Sequence, residues 1–300
     1  MFSVVIPLYN KELSIRNTIQ SVLDQTCQDF EIVVVNDGST DNSAAVVEAI
    51  EDDRIRLIHQ KNQGVSAARN RGIEEARCEW VAFLDADDLW EPDHVAEFRR
   101  QIESHPDATW LFSGFLVDNG RKVVEQIFHD EGVLENVFDA ILQGAVIHTS
   151  TVCVKRALFF TYDALWFTRG LRGSEDREVW YKLSCIDCQP IYIAKPLSTY
   201  CINVTGSLTK VNGASLNDDF LTMSDRLADY LSLTTEENSR KLREYLWGFN
   251  RKALLQRYVK GSLGNQYRKH FRSAEFLFLS LTMWLPRFVK AGVSKVLVRL

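Results

Sequence analysis

Four short apolar runs, at 2–8, 30–36, 54–59 and 80–84, alternate with longer helix-patterned stretches at about 11–25, 40–50, 64–76 and 92–104. Runs this short and rich in β-branched residues read as strands, and those that end near 36 and 84 read as buried ones. Strands that alternate with helices in this way require a mostly parallel sheet covered by helices on both faces, an α/β architecture. The helix starts carry chemical marks. Asn10 can cap the first, Thr40 or Asp41 the second and Gly64 to Ser66 the third, and Pro92 suits the first turn of the fourth.

After residue 105 the alternation weakens. Segments 108–117 and 121–128 read as a hairpin around Asn119-Gly120, and Leu134, Val137, Phe138 and Ile141 recur at helical spacing. A strand over 146–155, a helix over 175–187 and a strand over 190–202 complete one domain, taken as 1–205. From 213 to about 282 the pattern is helical, so residues 206–300 are expected to form a helical C-terminal appendage. No internal repeat or low-complexity linker separates the two parts.

An apolar fraction of 46% over 300 residues provides a sizeable core. The formal charge of −5 hides an asymmetry. Residues 251–300 hold eleven Lys or Arg against the single acid Glu275, which leaves 24 basic and 39 acidic residues, a balance near −15, in 1–250. Within the basic tail lies the apolar stretch Phe276–Leu285, ended by Pro286 and flanked by Arg268, Lys269, Arg272, Arg287 and Lys290. It falls short of the roughly 18 residues that a bilayer span needs. Residues 264–300 therefore either lie on an anionic membrane surface or pack as a terminal helix on the main domain. Cys27, Cys78, Cys153, Cys185, Cys188 and Cys201 are scattered, and the chain enters its first strand without a secretory leader, so a cytoplasmic setting is expected, peripheral to the inner membrane face if the tail binds lipid. Cys185-x-x-Cys188 has no second pair to complete a zinc site. No nucleic-acid partner is expected.

Two of the apolar runs end in acids. Glu31–Asn36 leads into Asp37-Gly-Ser-Thr-Asp41, and Trp80–Leu84 leads into Asp85-Ala86-Asp87-Asp88. Ligands of open α/β sheets bind outside the carboxyl ends of the strands, so acids at two such ends point to one shared pocket. Carboxylates this close repel one another unless a cation intervenes, and a hard oxygen-seeking ion such as Mn²⁺ or Mg²⁺, held together with a nucleotide diphosphate, satisfies that need. Pro7 and Tyr9 can form a shelf for a base, with backbone groups of Leu8 and Asn10 left to hydrogen-bond it. An ionised Asp37 accepts hydrogen bonds and so suits the imide N–H of uracil or thymine. Gly64, Ser66, Ala67 and Ala68 allow a ligand close to the start of a helix, and Arg69, one turn in, can reach a phosphate or an acidic partner. Each of these features also has a plain structural reading, as turn residues or as an ordinary Ala-rich helix.

Taken in order, Pro7-Leu-Tyr-Asn10, Asn36-Asp-Gly-Ser-Thr-Asp41, Asn62–Gly72, Asp85-Ala-Asp-Asp88 and Glu175-Asp176 with Trp180 closely resemble the GT-A-fold glycosyltransferases of family 2, over roughly residues 1–205. The resemblance implies a metal-dependent, inverting transfer of a sugar from a nucleotide diphosphate donor to an acceptor hydroxyl. It makes Asp87 the direct metal ligand, places Asp85 near the ribose or on the metal through water, with Ala86 between them, and gives Asp176, beside Glu175, the role of base toward the acceptor. A UDP-hexose or UDP-N-acetylhexosamine donor is expected, with a saccharide acceptor, lipid-linked, as in assembly of a bacterial surface polysaccharide. Gln-x-x-Arg-Trp is absent, which favours a non-processive enzyme, and Gly-x-Gly-x-x-Gly is absent after the first strand, which excludes a nicotinamide oxidoreductase. A catalytically inactive nucleotide-sugar-binding or assembly partner protein is the alternative. One departure stands out: Tyr200 is followed by Cys201, Ile202 and Asn203 where many relatives carry an Arg and a His that support the diphosphate. His148, in Ile147-His-Thr-Ser150, is either an acceptor-site residue or a structural one.

Overall fold

A computed structural model describes residues 1–142, 144–171, 173–186, 189–202, 223, 226–227, 230–232, 234–247 and 290. The chain divides into two compact units, Met1–Gly213 and Ala214–Leu300. The first is built on one ten-stranded sheet.

Strands β1 (Phe2–Leu8), β2 (Phe30–Asp37), β3 (Ile55–Gln60) and β4 (Trp80–Phe83) run parallel in the order β3-β2-β1-β4. They are joined by α1 (Ile15–Leu23), α2 (Ser43–Glu48) and α3 (Val65–Glu75), so the alternation in the sequence becomes the expected parallel half-sheet. Every residue of β1, β2 and β4 is buried, which explains why those runs show no polar alternation. Beyond β4 the sheet continues through β9 (Val152–Lys155), β6 (Ala108–Asp118), β10 (Gln189–Cys201) and β5 (Leu89–Trp90). β9 runs against both β4 and β6, while β10 is parallel to β6, so β9 is a reversed strand inside an otherwise parallel core. β7 (Val123–Gln126) completes the anticipated hairpin with β6, and β8 (Gly132–Val133) pairs with β10.

Helix α3 lies unusually close over β1. A Cβ added to Gly72 would stand 2.2 Å from Cγ1 of Val5, so only glycine permits that approach. α4 (His94–Ser104) follows the acidic turn, and α5 (Val137–Leu142) carries the helical spacing noted above. α6 (Ala157–Thr161) is a short helix after β9, and α7 (Glu175–Cys185) is anchored by Trp180, whose ring packs on Phe83 and Phe167 at centroid distances of 5.8 and 5.9 Å. Burying aromatic surface of this size contributes about 2–3 kcal/mol per ring and fixes where the first turn of α7 emerges.

Four local expectations are corrected. Asn10 does not cap α1, which begins only at Ile15: Asn10 sits at φ 52°, and its Oδ1 accepts from the backbone N of Thr40 at 2.8 Å, so the side chain is used to join two loops. Pro92 precedes α4 rather than entering its first turn, because Asp93 is the capping position. The strand expected over 146–155 begins only at Val152; Nδ1 of His148 accepts from the N of Ser150 and the hydroxyl of Thr151 donates to the His148 carbonyl, curling Thr149–Thr151 into a 3-10 turn. At α2 the capping position is Asn42 rather than Thr40 or Asp41, although the Asp41 carboxylate accepts from the N of Ser43 at 2.9 Å. Of the helical pattern from 213 to 282, the described part includes a helix over 236–247 and a 3-10 turn at Tyr230–Ser232; most of the pattern, and all of 264–300 except Lys290, lies outside the described residues.

Candidate active site

The carboxyl ends of β1, β2 and β4 open on one side of the sheet. Because Val5 pairs with Phe83, the chain after β4 leaves the sheet near the level of Pro7 and turns through Asp85–Asp88 beside the loop that follows β1. That turn is held from below: the hydroxyls of Ser14 and Thr18 both donate to the carbonyl of Ala86, at 2.8 and 3.0 Å.

Arg69 organises the centre. It is buried on α3, and its fork donates through one nitrogen to Oδ1 of Asp85 at 2.7 Å and through the other to Oε1 of Glu175 at 2.9 Å. Burial opposes the guanidinium charge, but Asp85, Glu175 and Asp176 outweigh it and raise the Arg69 pKa, so the charge is permanent. Of the two partners open at the sequence level, a phosphate or an acid, the structure gives Arg69 two acids. It thereby joins the acidic turn to the first turn of α7, residues 90 apart in the chain at Asp85 and Glu175.

Each carboxylate of the turn has a different partner. Asp85 pays for burial but is held below the usual carboxylate range by Arg69, helped by Lys11. Asp87 receives Nζ of Lys11 at 2.5 Å. Asp88 is buried; the Ser150 hydroxyl donates to its Oδ2 at 2.6 Å and the N of Cys201 to its Oδ1 at 3.2 Å. Burial, and next the charge of Asp85, push Asp88 well above the ordinary range, against the hydrogen bond from Ser150.

The 3-10 turn forms the opposite wall. Thr149 donates from its hydroxyl to Oδ2 of Asp176 at 2.9 Å, while Ser150 receives the N of Asp85 on its hydroxyl at 3.1 Å and the indole N–H of Trp90 on its carbonyl at 2.8 Å. His148 packs between Phe115 and Tyr200, with its Nε2 3.5 Å from Asp88. Burial lowers its pKa against the pull of Asp85 and Asp176. Since Nδ1 accepts from Ser150, the neutral ring carries its proton on Nε2, facing Asp88. Asp176 is half-buried, and its other oxygen accepts from the N of Arg177.

On the nucleotide side the placements differ from those expected. Pro7 and Leu8 are buried in β1, whereas Tyr9 is 46% exposed at its end. The backbone N–H of Asn10 is not left open, because it donates to the hydroxyl of Ser39 at 3.1 Å. Asp37 is likewise not an open acceptor: it is buried, Oδ1 receives Gln60 and the N of Gln63, and Oδ2 receives the N of Gly64. Its carboxylate is the clamp that shapes the 60–64 loop. Gly64, at φ 89°, faces open space, since a Cβ built on it meets nothing within 4 Å. Ala67 and Ala68 are buried. Lys11, Thr149 and Ser150 were not singled out in the sequence; a lysine next to Asn10 and hydroxyls ahead of a strand carry no local sign of what they reach.

The donor chemistry fits a divalent cation. Asp87 uses Oδ2 for Lys11 and Asp85 uses Oδ1 for Arg69, which leaves one hard oxygen of each carboxylate available among the described residues. No group of three His, Cys, Asp or Glu converges as a closed cage among them. One or two carboxylates completed by substrate phosphates is how Mg²⁺ is usually held, whereas a closed cage is not required.

Residues 3–167 match the sequence pattern of Glycosyl transferase family 2, more than half of the chain. The chain belongs to that family of glycosyltransferases. Among its relatives, EpsH of Bacillus subtilis (strain 168) is 31% identical over 251 residues, covering 81% of this chain and 71% of EpsH. An uncharacterized glycosyltransferase of Rickettsia bellii (strain RML369-C) is 34% identical over 186 residues, 61% of this chain but only 26% of that protein. Among solved structures, residues 1–349 of S. aureus TarS in complex with UDP-GlcNAc share the fold, with a TM-score of 0.69 at 20% identity over 91% of this chain and 77% of that one. The same part of TarS has also been solved with UDP.

Proposed function

We propose that this chain is an inverting, non-processive glycosyltransferase that moves a sugar from a UDP-hexose or UDP-N-acetylhexosamine to a hydroxyl of a saccharide acceptor, lipid-linked in a surface-polysaccharide pathway. The observation that carries the reading is the Asp85–Arg69–Glu175 bridge, which sets the acidic turn and the start of α7 on either side of one crevice. The UDP and UDP-GlcNAc complexes of TarS, a protein of the same fold, favour a uridine donor.

In this reading the exposed ring of Tyr9 supports the base, and Asp37 acts through the loop it holds, presenting Gly64 and its neighbours to the nucleotide. Asp87 and Asp85 would hold a Mn²⁺ or Mg²⁺ ion, which supplies positive charge to the leaving diphosphate. Asp176 takes the proton of the acceptor hydroxyl as that oxygen attacks the anomeric carbon from the face opposite the departing nucleotide, which is why the configuration inverts. The Thr149 hydroxyl keeps one oxygen of Asp176 oriented, and Arg69 keeps Glu175 in place beside it. Glu175, raised in pKa by burial and then by Asp176, is a supporting group in this arrangement.

The test is a panel of UDP-, dTDP- and GDP-sugars with Asp176→Asn alongside the native chain. UDP-sugars are expected to raise the melting temperature of both proteins, and release of UDP from the donor is expected only from the native one. Absence of stabilisation by any nucleotide sugar would sink the proposal, and an Asp176→Asn protein with normal turnover would sink the role given to that residue.

A further inference from the structure

Among the described residues, Lys11 is a cation of the crevice that no step above uses. It lies just past the Pro7–Asn10 segment, its backbone N donates to the Ser43 hydroxyl at 2.7 Å, and its side chain crosses to the acidic turn to meet Oδ2 of Asp87 at 2.5 Å. Both side chains are largely withdrawn from water, at 12% and 16% exposure. The pair is therefore no solvated surface ion pair of negligible weight. Asp85, the other carboxylate with an oxygen to offer, already has its own cation in Arg69, which is fixed by a second acid, Glu175. Arg69 is locked between two carboxylates in the core, whereas Lys11 reaches Asp87 from the surface loop on a flexible four-carbon stem.

Resting on the reading above, we infer that Lys11 is a resident counter-ion of Asp87 that competes with the divalent cation, so that the cation binds weakly alone and firmly only together with a nucleotide diphosphate. The physical ground is electrostatic. A divalent ion entering beside Asp87 meets a positive charge already within hydrogen-bond distance of the same carboxylate, and that repulsion is strong in a site where water is scarce. A diphosphate removes the obstacle in two ways. It adds oxygen ligands to the ion, and it offers the displaced ammonium a new anion. Without the ion, the Lys11 charge offsets that of Asp87, as Arg69 offsets that of Asp85.

The probe is Mn²⁺ alone, titrated into the full chain without nucleotide and followed by loss of the free-ion electron paramagnetic resonance signal. Lys11→Met is expected to bind Mn²⁺ about 10-fold more tightly than the native protein, equivalent to about 1.4 kcal/mol. Lys11→Arg, which keeps the charge, is expected to stay near the native affinity, and Asp87→Asn in the Lys11→Met background is expected to abolish the gain. UDP should tighten Mn²⁺ binding strongly in the native chain and much less in Lys11→Met. Unchanged or weaker Mn²⁺ binding in Lys11→Met, or a gain that survives Asp87→Asn, overturns the inference. If Lys11→Met does not fold, the native protein decides by crystallography with Mn²⁺ and UDP: Nζ of Lys11 beyond ion-pair distance of Asp87, about 4 Å, supports it, and an intact pair beside a bound ion overturns it. UDP binding by native protein is measured in the same series, so failure of the donor reading is seen separately from failure of the Lys11 inference.

Discussion

Arg69 shows how much of this site depends on a single side chain. Its guanidinium lies over the ring of Phe167, 5.3 Å from the centroid, and two of its nitrogens are committed to carboxylates on different elements. The third, Nε, is buried without a hydrogen-bond partner, a cost accepted for the bridge. Replacing Arg69 with Met would leave two carboxylates, Glu175 deeply buried, facing each other with no compensating charge. Breaking a buried ion pair from one side costs about 3–5 kcal/mol, and a loss of that size in urea-unfolding free energy is expected for Arg69→Met. Arg69→Lys should recover only part of it, because one ammonium cannot present the fork that spans both acids. A change below about 1 kcal/mol in Arg69→Met would mean that the bridge contributes no more than an exposed pair.

At the scale of elements, β1, β2 and β4 were legible in the sequence because burial on both faces writes itself as near-continuous apolar runs, and the half-buried β3 by its place in the alternation; all four stand within a residue or so of the expected bounds. A strand ending at 155 was also legible, but its start at Val152 and its reversed pairing with β4 and β6 were not, because the 3-10 turn that precedes it is held by side-chain bonds of His148 and Thr151 that no periodicity reveals. The site followed the same division. Asp85, Asp87, Glu175 and Arg69 could be singled out because they stand at or near element ends, whereas the loop bonds that Asp37 makes could not be read, because their donors lie up to 27 residues away in the chain. α4 carries a prediction of its own. His94, in its first turn, is fully buried, stacks on Trp90 with centroids 4.0 Å apart, and donates from Nδ1 to the carbonyl of Leu197 in β10 at 2.7 Å. Burial, opposed by that hydrogen bond, lowers its pKa to about 3. The unfolded chain takes up a proton near pH 6.5 and the native one only near 3, so between those values the unfolded state binds more protons and stability falls as the pH falls, at up to about 1.4 kcal/mol per pH unit. Denaturant titrations at stepped pH should show this slope in the native chain and a shallower one in His94→Asn. Equal slopes in the two proteins would remove His94 as its source.

For the whole molecule, the segregation of charge makes the most consequential prediction. The acidic turn, Glu175 and Asp176 belong to a body with a balance near −15, yet the last fifty residues carry eleven cations around an apolar stretch rich in Phe, Leu and Trp. Among the described residues no helix is long and apolar enough to cross a membrane, and Phe276–Leu285 is itself too short, so any bilayer association would come from lying at its surface. There each Lys or Arg gains about 1 kcal/mol against an anionic leaflet, and apolar side chains gain further from entering the acyl boundary. The acidic body is repelled by the same surface, which would turn its crevice-bearing unit away from close adsorption and leave the tail as the point of attachment. Native protein is therefore expected to sediment with vesicles containing phosphatidylglycerol but not with pure phosphatidylcholine, and to be released by salt, since these interactions are screened within a Debye length of about 8 Å at physiological ionic strength. Removal of residues 264–300 should abolish co-sedimentation while the donor-dependent melting shift persists. If the truncated chain sediments as the native one does, attachment does not reside in the tail, and a lipid-linked acceptor loses its physical support.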